Sequence, residues 1–234
     1  VKFSTKTINN KTTFLGWGRK KSGKNALFLA KKFGGNYLLL EDGFIRSFGL
    51  GIEDSPSFSI VQDNLGIYYD STTKSQLENL LNTYDFNANP TLLKTAKEAI
   101  NLITTHHLSK YNHAPDVPHN YFAPTDSTPT IILIISQTQT DSSLTYGHAT
   151  AFTTYTIIQD ALTENPNCEI YLKIHPDVLS GRKKSDFNPS EIPAQIKLIY
   201  EDFNPISLLK HVKKVYTKTS QMGFEALLVG CECV

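Results

Sequence analysis

The sequence has little to staple it and little to anchor it. Cysteine occurs three times in 234 residues, at Cys168, Cys231 and Cys233. An odd count without C-x-x-C spacing excludes a disulfide framework, and the lone Cys231-x-Cys233 pair is a poor zinc signal. Reduced thiols in a cytoplasmic protein are the expectation. An excess of either charge is also missing: 23 Lys and Arg stand against 22 Asp and Glu. Nothing in that balance argues for nucleic acid. Apolar runs are short, and the longest, such as Ile131 to Ile135, fall far below the roughly 20 residues of a membrane-spanning helix. The first residues are polar and lack the apolar core and cleavage site of a secretory signal.

What the chain does contain is alternation. In the first half, strands are predicted at Thr13–Trp17, Tyr37–Leu40, Phe58–Gln62 and Gly66–Tyr69, the last two as a hairpin turning at Asp63-Asn64. Helices are predicted at about Asn25–Phe33, at Lys74–Asn82 after a cap at Ser71 or Thr72, and at Pro90–Ser109. A stretch with Pro115, Pro118, Pro124 and Pro129 reads as a linker. The second half predicts strands at Thr130–Ile135, Glu169–Ile174, Gln195–Tyr200 and Lys214–Tyr216. It predicts helices at Thr150–Glu164, Pro205–His211 and Gly223–Val229, with a further strand beginning at Cys231. Strands alternating with helices imply a parallel sheet with right-handed crossovers. The expected fold class is α/β, with two Rossmann-like domains over 1–120 and 121–234. A strand starting at the last residues suggests a C-terminally truncated second domain.

Four polar motifs follow apolar runs, at the sheet edge where open α/β folds bind ligands. Glu41-Asp42-Gly43 comes first; a carboxylate there can serve as general base if burial raises its pKa, or simply solvate a turn. Arg46, three residues on, can hold an anionic group through a bidentate contact. Asp141 lies in the loop from Gln137 to Ser143, placed either as a nucleophilic carboxylate or as a helix cap. His175 precedes Pro176, whose ring forces extended backbone and projects the imidazole past the sheet edge. Lys173 lies on the same side of that strand. Thr219, Ser220, Gln221 and Gly223 open a helix whose N-terminus can take an anion, with Glu225 one turn in; plain N-capping is equally compatible. Gly18 to Lys24 nearly matches a P-loop, but Asn25 replaces the magnesium-binding hydroxyl.

The acidic-Gly and His-Pro pair resembles that of bacterial sialyltransferases. A closer resemblance, from Trp17-Gly18-Arg19-Lys20 to Gly223-Phe224-Glu225-Ala226-Leu227-Leu228, is to the N-terminal module of the two-module bacterial capsule β-Kdo transferases. It includes Leu40 to Ser47, Leu65 to Asp70, Ser109 to Asp116, His175 to Gly181 and Thr219-Ser220-Gln221. The resemblance implies a GT-B-like glycosyltransferase that transfers Kdo from CMP-Kdo, with retention, to a Kdo-terminated lipid acceptor, building the β-Kdo linker of capsular polysaccharide. It implies Asp141 as nucleophile and Glu41 or Asp42 as acid/base. Gln137, Lys173, His175, Thr219, Ser220, Gln221, Gly223 and Glu225 would bind nucleotide or substrate, and Arg46 the acidic sugar. It implies no metal and no cofactor beyond the donor, a place at the cytoplasmic face of the inner membrane, and other capsule-assembly enzymes as partners. The family's Pro-Phe-Tyr-Ala-Gly-Trp-Gly stretch is absent from this sequence. The alternatives are a P-loop nucleotide-binding enzyme and a non-catalytic capsule-assembly domain.

Overall fold

A computed structural model describes residues 8–50, 54–122, 130–179 and 181–234. Two sheets organise it. The first comprises β1 (Thr13–Trp17), β2 (Asn36–Asp42) and β3 (Ile60–Asp63) in that order, β1 and β2 parallel and β3 antiparallel to β2. Helix α1 (Lys21–Phe33) crosses between β1 and β2, and its Ala26 and Ala30 pack on Phe14. The first half is therefore a short mixed sheet rather than a full Rossmann unit.

Several expectations need correction here. Helix α1 starts at Lys21, four residues early, and takes Lys24 into its first turns. Gly23 lies in that helix against the Gly18 carbonyl, where an added Cβ would sit 1.8 Å from the oxygen. No phosphate-cradling loop is left between Gly18 and Lys24, and the P-loop reading fails. The Phe58–Tyr69 hairpin does not form either. Asp63 Oδ1 accepts from the Leu65 and Gly66 amides and Oδ2 from Gln76 N, which turns the chain into a loop instead of a second strand. Helix α2 (Gln76–Thr83) is capped by Ser75 rather than Ser71 or Thr72. Helix α3 (Pro90–Thr105) ends before Ser109.

The proline-containing segment is packed as far as Phe122. Asn204 N donates to Pro115 O, Val117 N to Ser207 Oγ, and Val117, Tyr121 and Phe122 join the core of the second half. Residues 123–129, with Pro124 and Pro129, lie outside the described residues.

The second sheet is parallel throughout: β4 (Ile131–Ile135), β5 (Glu169–Lys173), β6 (Ile196–Ile199), β7 (Lys214–Tyr216) and β8 (Glu232–Cys233), in the order β6-β5-β4-β7-β8. All five residues of β4 are buried, as a central strand covered on both faces requires. Ile131, Leu133 and Ile135 face one core with Val215 and Leu208; Ile132 and Ile134 face the other with Ile158 and Leu172. The connecting helices are α4 (Ser142–Tyr146), α5 (Thr154–Glu164), α6 (Pro176–Leu179), α7 (Pro205–Leu209) and α8 (Gln221–Val229). The order reverses between β4 and β7, and that reversal opens a crevice at their C-terminal ends.

Candidate functional site

The loops leaving β4 and β7 are stitched together at this crevice. Gln137 is buried, and its amide both donates to Thr219 Oγ1 at 2.7 Å and accepts from Thr219 N at 3.0 Å. Thr219 Oγ1 meets Ser143 Oγ at 2.6 Å. Ser143 in turn donates to Asp141 Oδ1 from both its hydroxyl (2.8 Å) and its amide (2.9 Å). Asp141 is the N-cap of α4 and is solvent-exposed. The cap therefore fixes a carboxylate at the rim of the crevice rather than using it up: Oδ1 takes both Ser143 bonds.

His175 leaves β5 beside this network, its backbone amide donating to Ser136 Oγ at 3.1 Å. The Asp177 amide donates to His175 Nδ1 at 3.1 Å, so the proton of the neutral ring resides on Nε2. Burial holds the imidazole pKa below its ordinary value, against the pull of Asp177. The result is a neutral ring with one fixed donor. Ser220 caps α8 through Met222 N at 3.3 Å.

Other predicted residues take structural positions. Lys173 is buried, directed to the Glu201 carbonyl at 3.4 Å, and burial lowers its pKa. Gln221 donates to the Phe44 carbonyl of the first half at 2.9 Å, beside an edge-to-face pair of Phe44 and Phe224. Gly223 lets α8 lie against β7, since an added Cβ would sit 2.7 Å from Thr217 Cγ2. Glu225, 1% exposed, accepts from Ser109 Oγ at 2.7 Å, and burial raises its pKa. Ser109 begins a segment that pairs with the first half, where Lys110 O accepts from the Arg46 and Ser47 amides.

The facing wall carries Glu41 and Asp42 at the end of β2. Glu41 Oε1 accepts from Tyr69 Oη at 3.0 Å, and that hydroxyl accepts from Arg19 N at 2.9 Å. Burial raises the Glu41 pKa, with Tyr69 and Lys20 opposing it. Asp42 is held by Arg46 Nε at 2.9 Å, with Lys110 Nζ at 3.9 Å. Arg46 also donates through Nη1 to Ser47 Oγ and Ser55 O. Two tyrosines register both walls. The Tyr68 phenol is pushed up to about 12 by burial of its hydroxyl end, although the residue is half-exposed, and then by Glu41, Asp42 and Asp141. Tyr111 is pushed up to about 12 by burial and by Asp42, Asp177 and Asp141, with Arg46 opposing. The carboxylates of the two halves thus lie within electrostatic range of the same two phenols. Among the described residues no three His, Cys, Asp or Glu side chains gather as a metal site.

A family model for capsule polysaccharide biosynthesis proteins matches residues 12–234. The chain belongs to that family. Capsule polysaccharide modification protein LipA of Neisseria meningitidis serogroup B is 45% identical over 92% of the chain, which spans 30% of that protein's length. Lipopolysaccharide-processing protein LpsZ of Rhizobium meliloti is 37% identical over 81% of the chain and 42% of its own length. The chain thus spans well under half of these curated relatives. Among solved structures, Thermosulfurimonas dismutans KpsC, beta Kdo 2,4 transferase, is 42% identical with a TM-score of 0.84, covering 94% of this chain and 67% of that one. The beta Kdo 2,7 transferase of the same KpsC is 27% identical with a TM-score of 0.64.

Within this capsule family member, the sequence pattern alone assigns no site role to Ser143, Tyr68, Tyr69, Lys110 or Tyr111. Tyr69 and Tyr111 stand in segments that carried the family resemblance, but only the fold shows which polar atom each one meets.

Proposed function

We propose that this chain is the catalytic module of a glycosyltransferase that moves Kdo from CMP-Kdo to a Kdo-terminated lipid acceptor, building the β-Kdo linker of a capsular polysaccharide. The observation that carries the reading is the Asp141–Ser143–Thr219–Gln137 network at a switch point, with Asp141 and Glu41 both acting on the Tyr68 phenol. In this reading the halves are the two domains of a GT-B-like arrangement, with the nucleotide on the second. The neutral His175 offers its Nε2–H to the phosphate, and the α8 N-terminus with Thr219 and Ser220 supports the same charge. Lys173, Arg46 and Glu225 then act one layer back, holding the loops that line the site.

Retention follows from two displacements. The Asp141 carboxylate attacks the anomeric carbon, and the bond to the CMP phosphate breaks with its electrons leaving on CMP. An acceptor hydroxyl, losing its proton to Glu41, then attacks the same carbon and expels Asp141. Glu41 suits this role better than Asp42: its pKa is raised and its side-chain hydrogen-bond partner is the neutral Tyr69 phenol, while Asp42 is engaged by two cations. The site would work at the cytoplasmic face of the inner membrane, beside other capsule-assembly enzymes.

Calorimetric titration with CMP, with UMP and ADP as controls, tests the reading. A preference for CMP, lost in Thr219→Ala, is expected. A preference for ADP overturns it. Equal indifference to all three, in this chain and in a full-length relative, favours a non-catalytic assembly domain.

A further inference from the structure

Helix α1 has a basic outer face. Its 13 residues, KSGKNALFLAKKF, contain four lysines and no acid, and Lys20 precedes them as the N-cap. Lys21, Phe28 and Lys32 are spaced seven and four apart, so they fall on one line of the helix. That line lies opposite the buried stripe of Gly23, Ala26 and Ala30. Phe28 is 62% exposed at its centre and Phe33 42% exposed at its end, with Lys32 Nζ 5.9 and 5.4 Å from their ring centroids.

Two features separate this face from an ordinary solvated one. Among the described residues, seven lysines elsewhere are in salt bridges, Lys94, Lys110, Lys183, Lys197, Lys213, Lys214 and Lys218, while others scattered along the chain, such as Lys11 and Lys97, are not. None of Lys20, Lys21, Lys24, Lys31 and Lys32 is. Moreover, Lys20, Lys21 and Lys24 occupy the positive end of the helix dipole, where cations work against helix stability. Lys20 is offset in part by Glu41 and Lys24 by the Tyr146 ring, which leaves Lys21 as the uncompensated cation.

We propose that α1 is an interfacial docking helix for an anionic bilayer, its lysines among lipid phosphates and Phe28 in the boundary between headgroups and acyl chains, while Phe33 stays stacked on Phe14. The charge complementarity is with a surface rather than a point. The lysines extend along the whole helix around the exposed Phe28, so one face offers electrostatic and apolar contacts together, the two terms that set binding to an anionic interface. The N-terminal end of α1 also abuts the cleft: Lys20 acts on Glu41, and Lys24 Nζ lies 5.9 Å from the centroid of Tyr146 on α4, the helix capped by Asp141. A docked α1 would bring the cleft mouth to the lipid surface, which rests on the proposed use of a lipid-linked acceptor.

The test is co-sedimentation of the chain with phosphatidylcholine vesicles carrying about one-third phosphatidylglycerol, without donor or acceptor. Binding that weakens with salt is expected. The triple change Lys21→Gln, Lys31→Gln, Lys32→Gln should reduce partitioning about a hundredfold, near fivefold per lysine. Phe28→Ser should reduce it severalfold at high salt as well. All four positions are exposed, and an unchanged circular-dichroism melt verifies the fold. Equal binding to pure phosphatidylcholine overturns the proposal, as does full binding by the triple variant. So does binding to soluble polyphosphate that matches the vesicles in affinity and ignores Phe28. Because no nucleotide is present, failure here leaves the CMP titration untouched, and the converse also holds.

Discussion

Tyr69 donates its hydroxyl hydrogen to Glu41 across 28 residues of sequence, at 3.0 Å. That bond opposes the burial that raises the Glu41 pKa. Tyr69→Phe removes the opposition, so Glu41 climbs further above its ordinary value and loses its proton later as pH rises. If Glu41 is the base, the acid limb of the kcat/KM profile moves to higher pH while the maximum is largely kept. An unmoved limb would assign the base elsewhere.

Asp141 both caps α4 and is the proposed nucleophile, and the two duties separate by substitution. Asparagine caps about as well as aspartate but cannot form a glycosyl ester. Asp141→Asn should keep the melting temperature and CMP affinity while transfer falls by about 10⁴-fold or more. Intact-mass spectra should show a sugar adduct on the parent chain under turnover and none on the variant. An adduct surviving on the variant would exclude Asp141.

Gly18 has a positive φ of 35°, and an added Cβ would stand 2.1 Å from Glu41 Oε1 and 2.3 Å from Tyr69 Oη. Gly18→Ala should therefore cost about 1–3 kcal/mol of stability and disturb the acid/base pair with it. Urea unfolding measures the first effect and the pH profile the second. Full stability with unchanged activity would contradict this geometry.

Ser109 Oγ donates to the buried Glu225 carboxylate. Burial raises the Glu225 pKa in the folded chain, so the folded state holds this proton more tightly than the unfolded one. Stability from this group is complete below its ordinary value and declines as pH rises through the folded one. Ser109→Ala removes a donor that favours ionisation, raising the pKa further. Its penalty should be small in acid and grow to about 1–3 kcal/mol near neutrality. Melting curves against pH check the trend, and a penalty independent of pH would show that Glu225 stays protonated.

Much of the second half was legible from strand chemistry. Ile131 to Ile135 is apolar without alternation, which only a strand covered on both faces tolerates, and β4 is that strand. Lys214–Tyr216 matches residue for residue. The first half was read less well where side chains compete with the backbone ladder. Asp63 captures three amides and ends the strand, so the apolar residues Ile67 to Tyr69 do not form a second one. Lys20 to Lys24 look like loop, yet Gly16 and Gly23 let helix and strand touch, and the helix begins there. The four motifs do lie at the C-terminal ends of β2, β4, β5 and β7, but the pattern did not give the direction of each side chain. Lys173 and Glu225 lie in polar motifs and point into buried corners, a choice made by tertiary packing alone.

The pairing of Gln137 with Thr219 joins positions 82 residues apart, and His175 comes from a third strand between them in sequence. A ligand held by all three recognises the assembled parallel sheet and has no partner in the unfolded chain. Its affinity is then also a folding force, adding about 2.7 kcal/mol at a hundred times its dissociation constant. On the proposed function, the cell's supply of activated sugar would set the lifetime of the chain as well as its rate of transfer. Thermal shift would then be a practical way to rank donors before any acceptor has been made.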